Sequence, residues 1–233
     1  MITNSMMLQL LLAIISACWL IPYFIAFKNG SKKISTTKKN LSHNSIYTWM
    51  YYSGFFISLI WYIMPLLPQF RLQFNIQKLF VYEHTLANSL YCVVCFILMC
   101  YFFYVWGVKV VNWNLKATKD RFLYPSNLIT DGPYGKVRNP MIIGDLFGHL
   151  SFILLTGALY TLYLYIIYII IDMTIVYIEN RYSIYPFFEK DFRKYSEKVP
   201  AYLNRKLFFI MIFFIVIILL NVYITYVNVY GHS

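Results

Sequence analysis

The sequence predicts an all-α, polytopic integral membrane protein with about six transmembrane helices, and three observations carry that expectation. Of 233 residues, 60% are hydrophobic and only 12% are charged, against about 45–50% and about 25% in an ordinary soluble domain. The apolar residues gather in five long runs with the charge set between them. The basic residues are shared very unevenly among the connecting loops. A soluble enzyme, a disordered tail and a repeat array are thereby excluded as first readings.

The runs at 6–27, 46–67, 85–106 and 207–227 are each long enough to cross, since a helix needs roughly 20 residues. The run at 141–179 is too long for one crossing, since its length of about 39 residues reaches roughly 58 Å at 1.5 Å per residue. Thr156 and Gly157 near its middle invite a tight reversal, so it reads as a helical hairpin and brings the total to six. Loops 28–45, 107–140 and 180–206 hold five, six and seven basic residues, which is 18 of the 20 in the chain, while Arg71 and Lys78 alone fall in loop 68–84. Six crossings satisfy the positive-inside rule with the N-terminus lumenal and the three basic loops cytosolic.

The net charge of +11 is therefore mostly topogenic. Nucleic-acid binding would call for a basic soluble module, and the chain has none. Lys28 to Lys39 also suits contact with anionic headgroups. The first run lacks the basic n-region and small-residue cleavage site of a signal peptide, and the last four residues carry no prenylation or retention signal.

All four cysteines lie within apolar runs. Cys92 and Cys95 have the spacing of a redox or zinc pair, but without a second ligand pair they read as packing residues, and no metal site is expected. His43 and His232 have no visible partners. Ionisable groups at membrane depth are costly and commonly functional: Glu83 and His84 at the mouth of the third run, then Asp145, His149, Asp172 and Glu179 in the hairpin. Asp145 and His149 are four apart and share a helix face. Gly144 and Gly148 have the same spacing, which serves close helix packing as readily as a site.

The loops flanking the hairpin are the richest in turn and polar residues. The first runs from Ser126 to Pro140 through Asp131-Gly132-Pro133-Tyr134 and Arg138-Asn139-Pro140. Pro140 occupies a first-turn position, which points free amides and a positive dipole end at the rim, beside Arg138. The second loop places Phe188, Phe192 and Tyr195 at i, i+4, i+7, so it reads as an amphipathic helix against the membrane face.

These two segments resemble the isoprenylcysteine carboxyl methyltransferase family. Leu128, Thr130, Gly132, Tyr134, Arg138, Pro140 and Gly144 match that family's L-V-T-x-G-x-Y…R-H-P-x-Y-x-G. Phe187, Phe188, Phe192, Tyr195, Val199 and Pro200 match its F-F-G-x-x-Y-x-x-Y-x-x-x-V-P. The resemblance covers roughly 115–205. It divides the chain into an N-terminal transmembrane region (1–114), a methyltransferase-like catalytic region (115–205) and an extra C-terminal transmembrane helix (206–233).

The resemblance implies methyl transfer from S-adenosyl-L-methionine to the α-carboxylate of a C-terminal prenylated cysteine, a protein methylation. Such a carboxylate, with a pKa of about 3.5, is already ionised, so alignment and exclusion of water are what the protein must supply. Implied cofactor contacts are Ser126, Asn127, Leu128, Ile129, Tyr134, Asn139, Pro140, Met141, Ile142, Gly144, Glu179 and Asn180, and the candidate catalytic residues are Arg138 and Asn180. The implied partners are prenylated protein C-termini and membrane lipid, and the implied location is the endoplasmic reticulum with the site facing the cytosol.

The chain departs from the family pattern at four places. Asn139 stands for the histidine and Ile142 for a tyrosine. Gapless counting puts the family's glutamate pair on Asn180 and Arg181, with Glu179 one residue early, about 100° around the helix. A substrate-facing arginine falls on Val176. Three other readings stay open: a phospholipid N-methyltransferase using a base such as Asp145 or His149, a sterol-reductase-like NADPH enzyme suggested by Gly144-Asp145-Leu146, and an inactive membrane scaffold. Replacing Tyr134 by alanine should weaken cofactor binding and leave the protein folded, because the residue lies in a loop; unchanged affinity in a binding titration would remove it from the site.

Overall fold

The computed structural model describes residues 2–37, 45–81, 85–117 and 127–230. Nine α-helices are described among them. They are α1 (Ile2–Cys18), α2 (Leu20–Thr37), α3 (Ser45–Ile63), α4 (Leu86–Tyr101), α5 (Lys109–Ala117), α6 (Pro140–Thr156), α7 (Leu159–Glu179), α8 (Tyr185–Lys198) and α9 (Arg205–Tyr230). A π-helical stretch, Phe102–Val108, joins α4 to α5, and a second, Asn180–Ile184, joins α7 to α8. Four continuous helical stretches are long and apolar enough to cross a membrane: Asn4–Ser31, Leu86–Trp113, Leu159–Lys198 and Arg205–Tyr230. Phe56–Leu66 and Pro140–Thr156 are shorter apolar helices. Large apolar side chains such as Leu219, Ile166 and Phe103 face outward, as a protein surrounded by hydrocarbon requires.

The helices outrun the apolar runs at two places. α2 continues to Thr37 and the third run continues through α5 to Ala117, both inside stretches that read as loops. Hydropathy marks where a chain leaves the apolar phase, whereas helix propensity decides where the helix ends. Lysine is among the better helix formers, so a basic stretch prolongs a helix that has already nucleated.

α6 sits at the centre of the packing. Phe147 of α6 stacks on Phe102 of the π-helical stretch, centroids 4.9 Å apart, and on Phe214 of α9 at 5.4 Å. The glycine face of α6 meets the same π stretch. A Cβ on Gly144 would stand 2.6 Å from the Trp106 carbonyl carbon and 2.8 Å from the Gly107 nitrogen, so only glycine permits this approach of two backbones. Gly148 is different, for its nearest neighbour would be the Tyr62 hydroxyl at 3.8 Å.

At its far end α6 stops at Gly157, whose φ of 65° is the left-handed conformation that favours glycine. α7 then runs back beside α6, and the Tyr165 hydroxyl donates to the Leu146 carbonyl at 2.6 Å. The segment 67–80 lies across this end. Leu72 N donates to Gly157 O at 2.8 Å, and Leu159 N to Phe70 O at 3.2 Å. Arg71 donates to the carbonyls of Pro65, Leu67 and Thr156, so this isolated cation serves the unpaired carbonyls that helix ends leave behind. α9 is tied to the same segment: Phe74 N donates to Asn221 Oδ1 at 3.0 Å, Asn221 Nδ2 donates to Phe74 O at 3.0 Å, and Gln73 N donates to Thr225 Oγ1 at 2.7 Å.

The two glycines should separate cleanly on mutation. Gly144→Ala overpacks a backbone contact and should lower unfolding stability by about 1–3 kcal/mol, read as thermal melting in detergent. Gly148→Ala should be neutral; equal melting of both variants would contradict the packing described.

Candidate site at the rim

The opposite end of α6 is held by a clasp between the two loop segments. Residues 131–137 form consecutive turns, with Asp131 O accepting from Tyr134 N (3.1 Å) and Gly135 N (3.3 Å), and Pro133 O accepting from Lys136 N and Val137 N. Gly132 has φ 58°, and a Cβ there would lie 2.7 Å from Trp113 Cζ2, so α5 is the floor of this turn. Arg138 N donates to Pro200 O at 2.9 Å and Asn139 N to Ala201 O at 3.1 Å. Asn139 stands in the N-cap position of α6, yet its side chain makes no cap and donates instead to Ala201 O at 3.0 Å. The Tyr195 hydroxyl donates to Tyr134 O at 2.6 Å. The Arg138 guanidinium lies over the Phe192 ring, 5.7 Å from its centroid, with its Nε buried and unpartnered among the described residues. Burial pushes the Tyr202 phenol up from its ordinary value, and the nearby Arg138 charge opposes that.

Between the first segment and α8 lies a cavity of about 410 Å³ lined by Asn127, Leu128, Thr130, Phe188, Asp191 and Lys194, within the roughly 300–1,000 Å³ of ligand pockets. Phe188 departs from helical geometry (φ −133°, ψ 24°). Asn127 and Leu128 were expected at a site. Phe188, Asp191 and Lys194 were not expected as lining, although their spacing of three residues is a usable signal for one helix face. Phe192 and Tyr195 are instead buried, at 4% and 8% exposure.

None of the other expected residues that are described lines this cavity. Ser126 lies outside the described residues. Ile129, Tyr134, Met141 and Asn180 are half-buried, while Pro140, Ile142 and Gly144 are buried. Glu179 Oε1 accepts from the Tyr23 hydroxyl at 2.8 Å, which links α7 to α2. Asn180 opens the second π-helical stretch. Val176 is buried and Arg181 exposed. Glu83, His84 and His43 also lie outside the described residues.

Below the rim is a polar cluster joining α6, α7 and α3. His149 Nδ1 is 3.1 Å from Asp145 Oδ1, which is the pairing their spacing suggested. The Tyr168 hydroxyl donates to Asp145 Oδ2 at 2.5 Å and lies 3.0 Å from His149 Nδ1. Ser58 Oγ donates to Asp145 Oδ1 at 3.3 Å, and the Tyr62 ring stacks on His149 at 3.8 Å. One turn further along α7, Asp172 is 3% exposed and its Oδ2 has no hydrogen-bond partner. Tyr168 and Ser58 come from other helices, and no spacing in the sequence announced them.

The fold is that of a multi-pass helical membrane protein, with an open cleft between residues 127–130 and α8. Residues 88–189 match the model of the family described as phospholipid methyltransferase. The matched stretch is somewhat under half of the chain, runs from the start of α4 to the start of α8, and supports a membrane methyltransferase domain there. That description is broader than the isoprenylcysteine resemblance. No curated protein and no solved structure matches.

Tyr195→Phe tests the clasp. Loss of the bond to Tyr134 O should cost about 0.5–1.5 kcal/mol and speed hydrogen exchange in a peptide covering 128–139. Unchanged protection would show that the clasp does not depend on that hydroxyl.

Proposed function

We propose that the protein is an integral-membrane, S-adenosylmethionine-dependent methyltransferase whose acceptor is the amine of a membrane lipid. The observation that carries this is the rim cleft built jointly by residues 127–130 and α8, together with the carboxylates of Asp145, Asp172 and Glu179 on α6 and α7. Its lining suits the methyl donor: Phe188 offers an aromatic face, Asp191 and Asn127 offer acceptors for hydroxyl and amino groups, and Lys194 offers a cation for a carboxylate. The donor supplies an electrophilic methyl carbon on a sulfonium. The chain's part is to orient the acceptor, exclude water and take a proton.

The amine is favoured over a carboxylate by electrostatics. Asp145 lies on α6 and Asp172 and Glu179 lie two turns apart on α7, and among the described residues no Lys or Arg is ion-paired with any of them. Three carboxylates repel an anionic acceptor and attract a cationic one. One observation favours the second reading, the prenylcysteine carboxylate: the buried, unpartnered Nε of Arg138 is a donor of the type that grips carboxylates.

The proposal takes the chain across the bilayer six times, with α6 and α7 as a hairpin, α8 on the cytosolic face and the clasp on that same side, as the basic loops favour. It places the protein in the endoplasmic reticulum. It assigns Glu179 rather than Asn180 to the donor site. A π-helical turn holds one residue more than an α turn, so Asn180–Ile184 absorbs a one-residue offset. Counted back from Phe187, Glu179 then takes the orientation that unbroken α geometry would give Asn180.

Membranes containing the protein, supplied with labelled S-adenosylmethionine, should label an ethanolamine phospholipid in a base-stable form, with a greater loss in Glu179→Gln than in Asn180→Ala. Base-labile label on farnesylcysteine would establish the second reading instead. No label in either, together with no donor binding, would sink both.

A further inference from the structure

We infer that Asp172 holds the ammonium group of the acceptor within the membrane and takes its proton. This rests on the amine reading above. Of the three acids on α6 and α7, two have donors. Asp145 is held at one oxygen by Ser58 and His149 and at the other by Tyr168. Glu179 is held by Tyr23. Asp172 is 3% exposed and leaves Oδ2 unpartnered. A buried carboxylate without donors is among the most costly groups a protein can keep, and a cation is what it lacks.

The surroundings select the cation. Asp172 lies four residues after Tyr168 and seven before Glu179, so all three share one stripe of α7. Asp172 stands about two turns, or roughly 10 Å, along α7 from Glu179. Asp145 is 31% exposed while its partner His149 is 1% exposed, so the cluster opens outward at its acidic end.

The proton balance is simple. An acceptor ammonium, R–NH3+, gives one proton to the Asp172 carboxylate and becomes R–NH2. The nitrogen lone pair forms the N–CH3 bond as the C–S bond of the sulfonium breaks, and the sulfur leaves as an uncharged thioether. The product is R–NH2+–CH3, and the proton on Asp172 returns to water.

The test begins with the unaltered protein in two vesicle preparations. A hydrophobic carbodiimide modifies buried carboxyl groups, and mass spectrometry reports the modification of Asp172 separately from Asp145 and Glu179. An ethanolamine-headgroup phospholipid should slow modification of Asp172 by roughly tenfold where it fills the site, and a glycerol-headgroup phospholipid should not. Asp172→Asn should lose methyl transfer to the ethanolamine lipid by about 100-fold or more with S-adenosylhomocysteine affinity unchanged, and Asp172→Glu should recover most of the rate. Equal modification in both vesicles, or an Asp172→Asn variant within about threefold of the wild-type rate, overturns the assignment while leaving the amine reading intact. Wild-type transfer to farnesylcysteine and none to the ethanolamine lipid overturns both.

Discussion

Two backbone hydrogen bonds, from Arg138 N to Pro200 O and from Asn139 N to Ala201 O, hold together segments that are sixty residues apart in the chain. Everything at the rim depends on that pairing. It fixes where α6 begins, and since α6 is a rigid helix it thereby fixes Gly144 against Trp106, Phe147 in its aromatic stack and Asp145 beside Tyr168. The same pairing sets the height of α8, whose Tyr195 then reaches Tyr134 O. Asn139 contributes twice, through its backbone and its side chain, which explains why an amide serves at this position without an imidazole.

The interior follows from the cost of polar groups in an apolar phase. At the Gly157 end, Gln69 donates to Thr161 Oγ1 and accepts from the amides of Tyr160 and Thr161, while Thr161 donates to Gln9. In mid-helix, Tyr165 and Tyr168 spend their hydroxyls on Leu146 O and Asp145. The polar residues of α7 at 161, 165 and 168 thus face α1, α6 and α3, and Glu179 at its end meets α2. Asp172 between them leaves Oδ2 unpartnered.

Much of the fold was legible because a bilayer demands long apolar runs, and the runs at 85–106 and 207–227 became the cores of real helices. The pairing of Asp145 with His149 was equally legible from their spacing. What was not legible came from elsewhere in the chain. Tyr168 and Ser58 reach Asp145 from 23 and 87 residues away. The Phe188 kink redirects a helix with no glycine to announce it, so the wall made by Phe188, Asp191 and Lys194 escaped notice. The π turn at Asn180 is a single-residue change of register, and hydropathy is blind to it. Gly144 was open between packing and binding, and the 2.6 Å approach to Trp106 accounts for its small size through packing.

The central claim is that the first loop segment and α8 together hold the methyl donor. Ultraviolet crosslinking of labelled S-adenosylmethionine to the full-length protein in membranes, followed by peptide mapping, tests it most directly. Label is expected on peptides covering 127–134 and 186–195, and in both at once. Label confined to other segments, or none that excess unlabelled donor displaces, would contradict the site.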